Sequence, residues 1–150
     1  MALGTYRADD INRAKTYIGP HGNLSHKTGR KVVPAAIAQN DTIDLMVLPR
    51  GAQIIDCILN VIGTPGANVT YQLGLAQIPG KSDVKVDADG LIAATAAATT
   101  VLLRRNKTGI EQSALLLDDD YLVQALAGGG NPDAEHTLEA TVIYEFTGTP

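Results

Sequence analysis

The sequence has no tryptophan, one phenylalanine (Phe146), five tyrosines and one cysteine. Each shortage excludes something. Without indole rings, the stacking platforms common in sugar and base recognition are missing, and Ala, Val, Ile, Leu and Thr must build the core. A single cysteine forms no internal disulfide. Cys57 alternates with apolar residues in a strand-like run, where a thiol packs as a small apolar group, and no histidine is placed nearby in sequence to activate it. The three histidines, His21, His26 and His136, lack HxH or HExxH spacing, so no zinc site is expected. No apolar run approaches the length of a membrane span. The polar start, with Arg7, Asp9, Asp10 and Arg13, is not that of a signal peptide. The Asn-x-Thr/Ser triplets at Asn23, Asn40, Asn68 and Asn106 are accordingly not read as glycosylation sites.

What is present suits one domain. A chain of 150 residues buries roughly 70% of its unfolded surface, enough to fold without metal or disulfide. Net charge is −4, but unevenly spread. Residues 1–31 hold six Lys/Arg against two acids, a net of +4; residues 32–150 hold six against fourteen, a net of −8. A basic head precedes an acidic body.

Periodicity along the body is that of strands. Residues 1–30 carry few large aliphatics and several breakers, including Gly19-Pro20, and read as an arm with a short helix over about Asp9 to Tyr17. Residues 31–150 read as the folded domain. Lys31 to Ile37 is an edge strand because of Pro34. Thr42 to Leu48 alternates, and Ala52 to Ile62 is apolar on both faces, as expected of a strand covered by a layer on each side. Between them, Pro49-Arg50-Gly51 is a tight reversal in which Arg50 is not needed for the turn. Val69 to Leu75, Thr99 to Arg105, Ser113 to Leu117, Tyr121 to Ala127 and Thr137 to Phe146 complete the strands, the last with the clearest alternation. The alanines of "GLIAATAAATT" favour a short helix after Asp89-Gly90, residues 76–90 read as a polar loop, and Gly128 to Pro132 as a flexible one. The expected fold is all-β: a single β-sandwich or jelly-roll domain with an extended N-terminal arm and one short helix.

Catalytic signatures fail one by one. "GLAQIPGKS" (Gly74 to Ser82) has five residues between its glycines where a P-loop needs four, and Pro79 removes a donor. "DVKVDADG" (Asp83 to Gly90) places Lys85 where a calcium loop needs an acid. Asp118-Asp119-Asp120 reads as a charged turn that keeps a sheet edge from pairing. No serine lies in a nucleophile elbow. Trimeric dUTP pyrophosphatases share the strand–Pro–x–Gly–strand step, but their Asp-x-Gly-Tyr-Asp motif is missing. An acidic body, basic only in the arm and at Arg104-Arg105-Lys107, argues against nucleic acid. No enzyme activity and no cofactor or metal is expected.

"NDTIDLMVLPRGAQIIDCILNV" (Asn40 to Val61), in which a strand runs through Leu-Pro-x-Gly-Ala into a long apolar strand, resembles small proteins of tailed-bacteriophage head modules. "DADGLIAATAAATT" and the terminal "ATVIYEFTG" resemble the same group; the arm carries no resemblance. The resemblance implies a capsid decoration, or cement, protein: a structural virion component on the capsid's outer surface, made in the host cytoplasm. Such a protein clamps neighbouring copies of the major capsid protein as a homo-oligomer, a homotrimer in preference to a dimer, with no nucleic-acid or membrane partner. On that reading Tyr6, Arg7, Arg13, Lys15 and Tyr17 are the arm's binding residues, since Arg and Tyr are favoured interface anchors, and Arg50 is a further interface turn. A solvated tail is the competing reading of the arm. Competing functions are a virion-attached module binding a host-surface glycan through loops 76–90 and 128–136, and a head–tail or tail component.

Overall fold

The computed structural model describes residues 5–7, 24–80, 87–106 and 116–146. These form nine strands: β1 (Thr5–Arg7), β2 (Leu24–Val33), β3 (Thr42–Leu48), β4 (Ala52–Ile62), β5 (Thr70–Gln77), β6 (Asp87–Ala96), β7 (Val101–Arg104), β8 (Tyr121–Gly128) and β9 (His136–Phe146). One sheet has the order β1-β3-β8-β5-β6 and the other β2-β9-β4-β7. Only β1, beside β3, pairs in parallel; every other pairing is antiparallel. From β2 onward the chain changes sheet at each connection except β5 to β6. That crossing pattern is the jelly roll. The expected class is what forms.

One apolar core lies between the sheets. β9 follows the two-residue period closely: Leu138, Ala140, Val142 and Tyr144 are buried, while the residues between them face outward. Its neighbour β4 contributes Ile54, Cys57, Leu59 and Val61 to the core. A bulge at Ile55 turns both Ile55 and Asp56 away from it, so two successive residues face outward.

Three local expectations are corrected. Residues 90–100 form no helix; they supply most of β6, because burying Leu91 and Ile92 outweighs the weak helical preference of the alanines. Second, β2 begins at Leu24, inside the segment read as an arm, and pairs with β9 along its whole length. Lys27, Arg30 and Lys31 are therefore strand residues, which moves half of the head's six cations into the sheet. Third, residues 128–132 are held down. Gly129 adopts φ 71°, Asn131 Oδ1 accepts the Gln39 N–H, Pro132 is buried, and the Asp133 N–H donates to the Pro65 carbonyl. The helix expected over about Asp9 to Tyr17 lies outside the described residues.

Candidate assembly interface

The Pro49-Arg50-Gly51 reversal joins β3 to β4 across the sheets. Gly51 takes φ 83°, a region glycine enters at no steric cost. Its N–H donates to the Leu117 carbonyl, and the Arg50 N–H donates to Asp120 Oδ1 at 2.9 Å. The Asp118-Asp119-Asp120 turn is thus spent on structure: Asp118 accepts the Tyr121 hydroxyl, Asp119 the Asp120 N–H, and Asp120 the Arg50 N–H. Among the described residues no group of three His, Cys, Asp or Glu is placed to hold a metal ion. The Arg50 side chain is exposed at the tip of this turn.

Of the other residues singled out by sequence, Tyr6 and Arg7 lie in β1, in register with Ile43 and Asp44 of β3. Arg13, Lys15 and Tyr17 lie outside the described residues. Asp44 is buried and accepts a hydrogen bond from Gln124 Nε2. Beyond β1's reach, Lys27 Nζ crosses from β2 to the Val47 carbonyl at 2.8 Å, giving that carbonyl a charged donor. Buried cysteine chemistry is absent from the picture: desolvation, with help from Asp56, pushes the Cys57 thiol up to about 12 against the opposing Arg105 charge. A thiol held protonated is inert.

The outward face of the β2-β9-β4-β7 sheet is a feature that sequence reading missed. Cross-strand partners share a face, so the register sets its rows. Val32, Thr137 and Ile62 form one, and Arg30, Glu139, Asn60 and Leu102 the next. Thr28, Thr141, Ile58 and Arg104 follow, with the two threonine hydroxyls 2.9 Å apart. No layer of the described residues covers these rows. Leu24 is 68% exposed, Val32 and Leu102 50%, and Ile55 43%. The second apolar face of Ala52 to Ile62, expected to lie under a layer of the chain itself, points outward here. That double-faced strand was the available signal. Sequence gave no means to decide whether the second cover belongs to the same chain.

At the far end of the sandwich, Tyr71 of β5 donates its hydroxyl proton to His136 Nε2 at 2.5 Å. His136 Nδ1 lies 2.9 Å from the Ala134 carbonyl, which can only accept, so Nδ1 carries the ring's single proton. Desolvation holds the imidazole below its usual range, against the opposing Ala134 hydrogen bond. It likewise raises the Tyr71 hydroxyl. Both groups are neutral and serve the core.

No protein-family model and no curated protein matches the chain. Among solved structures, it is similar to a chain in the capsid of Ralstonia phage GP4, with TM-score 0.73 and 22% identity over 98% of this chain and all of the other. It is also similar to a chain of the cyanophage Pam1 capsid asymmetric unit, with TM-score 0.55 and 15% identity over 93% and 96% of the two chains. At these identities the likeness is one of fold.

Proposed function

We propose that this protein is a structural component of a phage virion, a jelly-roll decoration protein that attaches to the outside of the head shell as a homo-oligomer and clamps neighbouring major capsid subunits. The observation that carries this reading is the end-to-end likeness to a chain of a phage capsid, covering 98% of one chain and all of the other. The chemistry agrees with it. Asp118-Asp119-Asp120 are occupied by turn contacts, the buried thiol is protonated, and the Tyr71–His136 pair is sealed in the core. The reading assigns attachment to the N-terminal segment with Tyr6, Arg7, Arg13, Lys15 and Tyr17 and to the exposed Arg50 turn, beside a sheet face that no described residue covers. Repeated attachment around a shell multiplies weak individual contacts.

The test is reconstitution. Head shells assembled without this protein are mixed with the purified full-length chain, sedimented and heated. Saturable co-sedimentation and a higher temperature of shell disruption are expected. Shells that neither retain the protein nor gain stability would overturn the proposal.

A further inference from the structure

We infer that the outward face of the β2-β9-β4-β7 sheet is the contact through which one copy of this chain binds a second. This deepens the homo-oligomer part of the proposed function by assigning it a surface. Three observations carry it. The first is exposure: Val32 and Leu102, each 50% exposed, stand at opposite margins of the sheet, with Ile62 and Ile58 between them on β4. These four aliphatics alternate with Thr137, Asn60 and Glu139, the mixed apolar and polar composition of a protein–protein contact surface.

The second is area. Strands of this length, at about 3.3 Å per residue and about 4.8 Å between strands, present a face of roughly 600 Å². Two copies would bury about 1,200 Å², the lower end of a specific, stable protein interface.

The third is charge. Arg30 lies opposite Glu139 within one row, Arg104 falls in the next, and Asp56 and Glu145 lie beyond them on β4 and β9. A face of one sign would fit an oppositely charged foreign groove. This one mixes both signs among aliphatic and threonine side chains, so an identical face can meet it without a large one-sign repulsion. The threonines and β-branched aliphatics that fill the rest are stiff at χ1 and lose little freedom on contact.

The experiment uses the purified full-length chain with no shell present, so its outcome is independent of capsid binding. Sedimentation velocity at tens of micromolar is expected to give a multiple of the 15.7 kDa chain mass. Val32→Glu and Leu102→Glu, both at half-exposed positions, are expected to shift the species to the monomer with an unchanged β-sheet circular dichroism spectrum. Gln72→Glu, on the outward face of the other sheet, should leave the oligomer as it was. If a glutamate variant fails to fold, Leu102→Thr decides, because threonine suits a strand; a roughly tenfold weaker association is expected from the lost apolar area. A wild-type chain that sediments as a monomer, or folded variants that associate as tightly as wild type, would overturn the inference. A monomer that still binds shells would overturn the assigned face alone and leave the virion role standing.

Discussion

His136 enters β9 with both ring nitrogens committed, one to Ala134 and one to Tyr71, and only 3% of its surface exposed. A second proton would take away the Nε2 lone pair that accepts the Tyr71 hydroxyl and would leave a charge in the core. The folded ring therefore titrates below the ordinary value of 6.5, and the unfolded chain binds its proton first. Above that value the ring is neutral in both states and the contribution is complete. As pH falls below it, unfolding takes up a proton and stability drops, until the folded ring also titrates and the loss levels off. Urea unfolding of wild type at pH 7.5 and at pH 5.0 should show this decline, and His136→Gln should flatten it. An identical decline in both proteins would remove His136 as its source. Tyr71→Phe takes away the hydroxyl that favours the neutral ring, so the His136 pKa read by NMR should rise.

At the scale of elements, the corner where β2 crosses β3 decides how the two sheets close. A Cβ built on Gly29 would lie 2.1 Å from the Leu45 carbonyl oxygen, so the backbones approach as only a glycine permits. Leu45 is the bulged residue of β3, and the atom in the way is its backbone carbonyl, which cannot swing aside as the end of a side chain can. Gly29→Ala should therefore cost about 1–3 kcal/mol, the range for overpacking a filled interior, measured as a lower midpoint in thermal or urea unfolding. Wild-type stability in that variant would mean that the crossing is looser than the geometry has it. The same corner explains what sequence concealed. The inward positions of β2 are Ser25, Lys27, Gly29, Lys31 and Val33, set by their partners Tyr144, Val142, Ala140, Leu138 and His136. Only one of the five is a large aliphatic, so the strand reads as a polar arm. β9 was legible because four successive inward positions, Leu138, Ala140, Val142 and Tyr144, are aliphatic or aromatic. β6 was not, because a run of alanines carries no strand period and only Leu91 and Ile92 fix it to the core. The loop with Pro49-Arg50-Gly51 was legible as a reversal from its proline and glycine, while its tie to Asp120 depends on residues far away in sequence.

For the whole molecule, the division into a basic head and an acidic body changes meaning once β2 is placed. Arg30 belongs to the sheet face, Lys27 is tied to the Val47 carbonyl, and Lys31 sits at an inward register position. The cations left to the N-terminal segment are Arg7, Arg13 and Lys15, against Asp9 and Asp10. Two surfaces of different chemistry then share the work proposed for this protein: a short cationic segment suited to an acidic groove of the shell, and an apolar, two-sign face suited to a second copy. They should respond differently to salt. Exposed charges are screened over a Debye length of about 10 Å at 0.1 M salt, whereas burial of apolar rows is not weakened by added salt. Raising NaCl from about 0.05 to about 0.5 M should weaken attachment to shells several-fold, as expected for screened surface charge, while the oligomer's sedimentation stays unchanged. Replacing Arg7, Arg13 and Lys15 by glutamine in the full-length chain should abolish the salt dependence of attachment and leave association between copies intact; Leu102→Glu should abolish association, weaken attachment through lost multivalency, and leave the remaining attachment salt-dependent. Loss of association between copies in the glutamine variant would mean that the two surfaces are one, and that copies associate only through the segment that grips the shell.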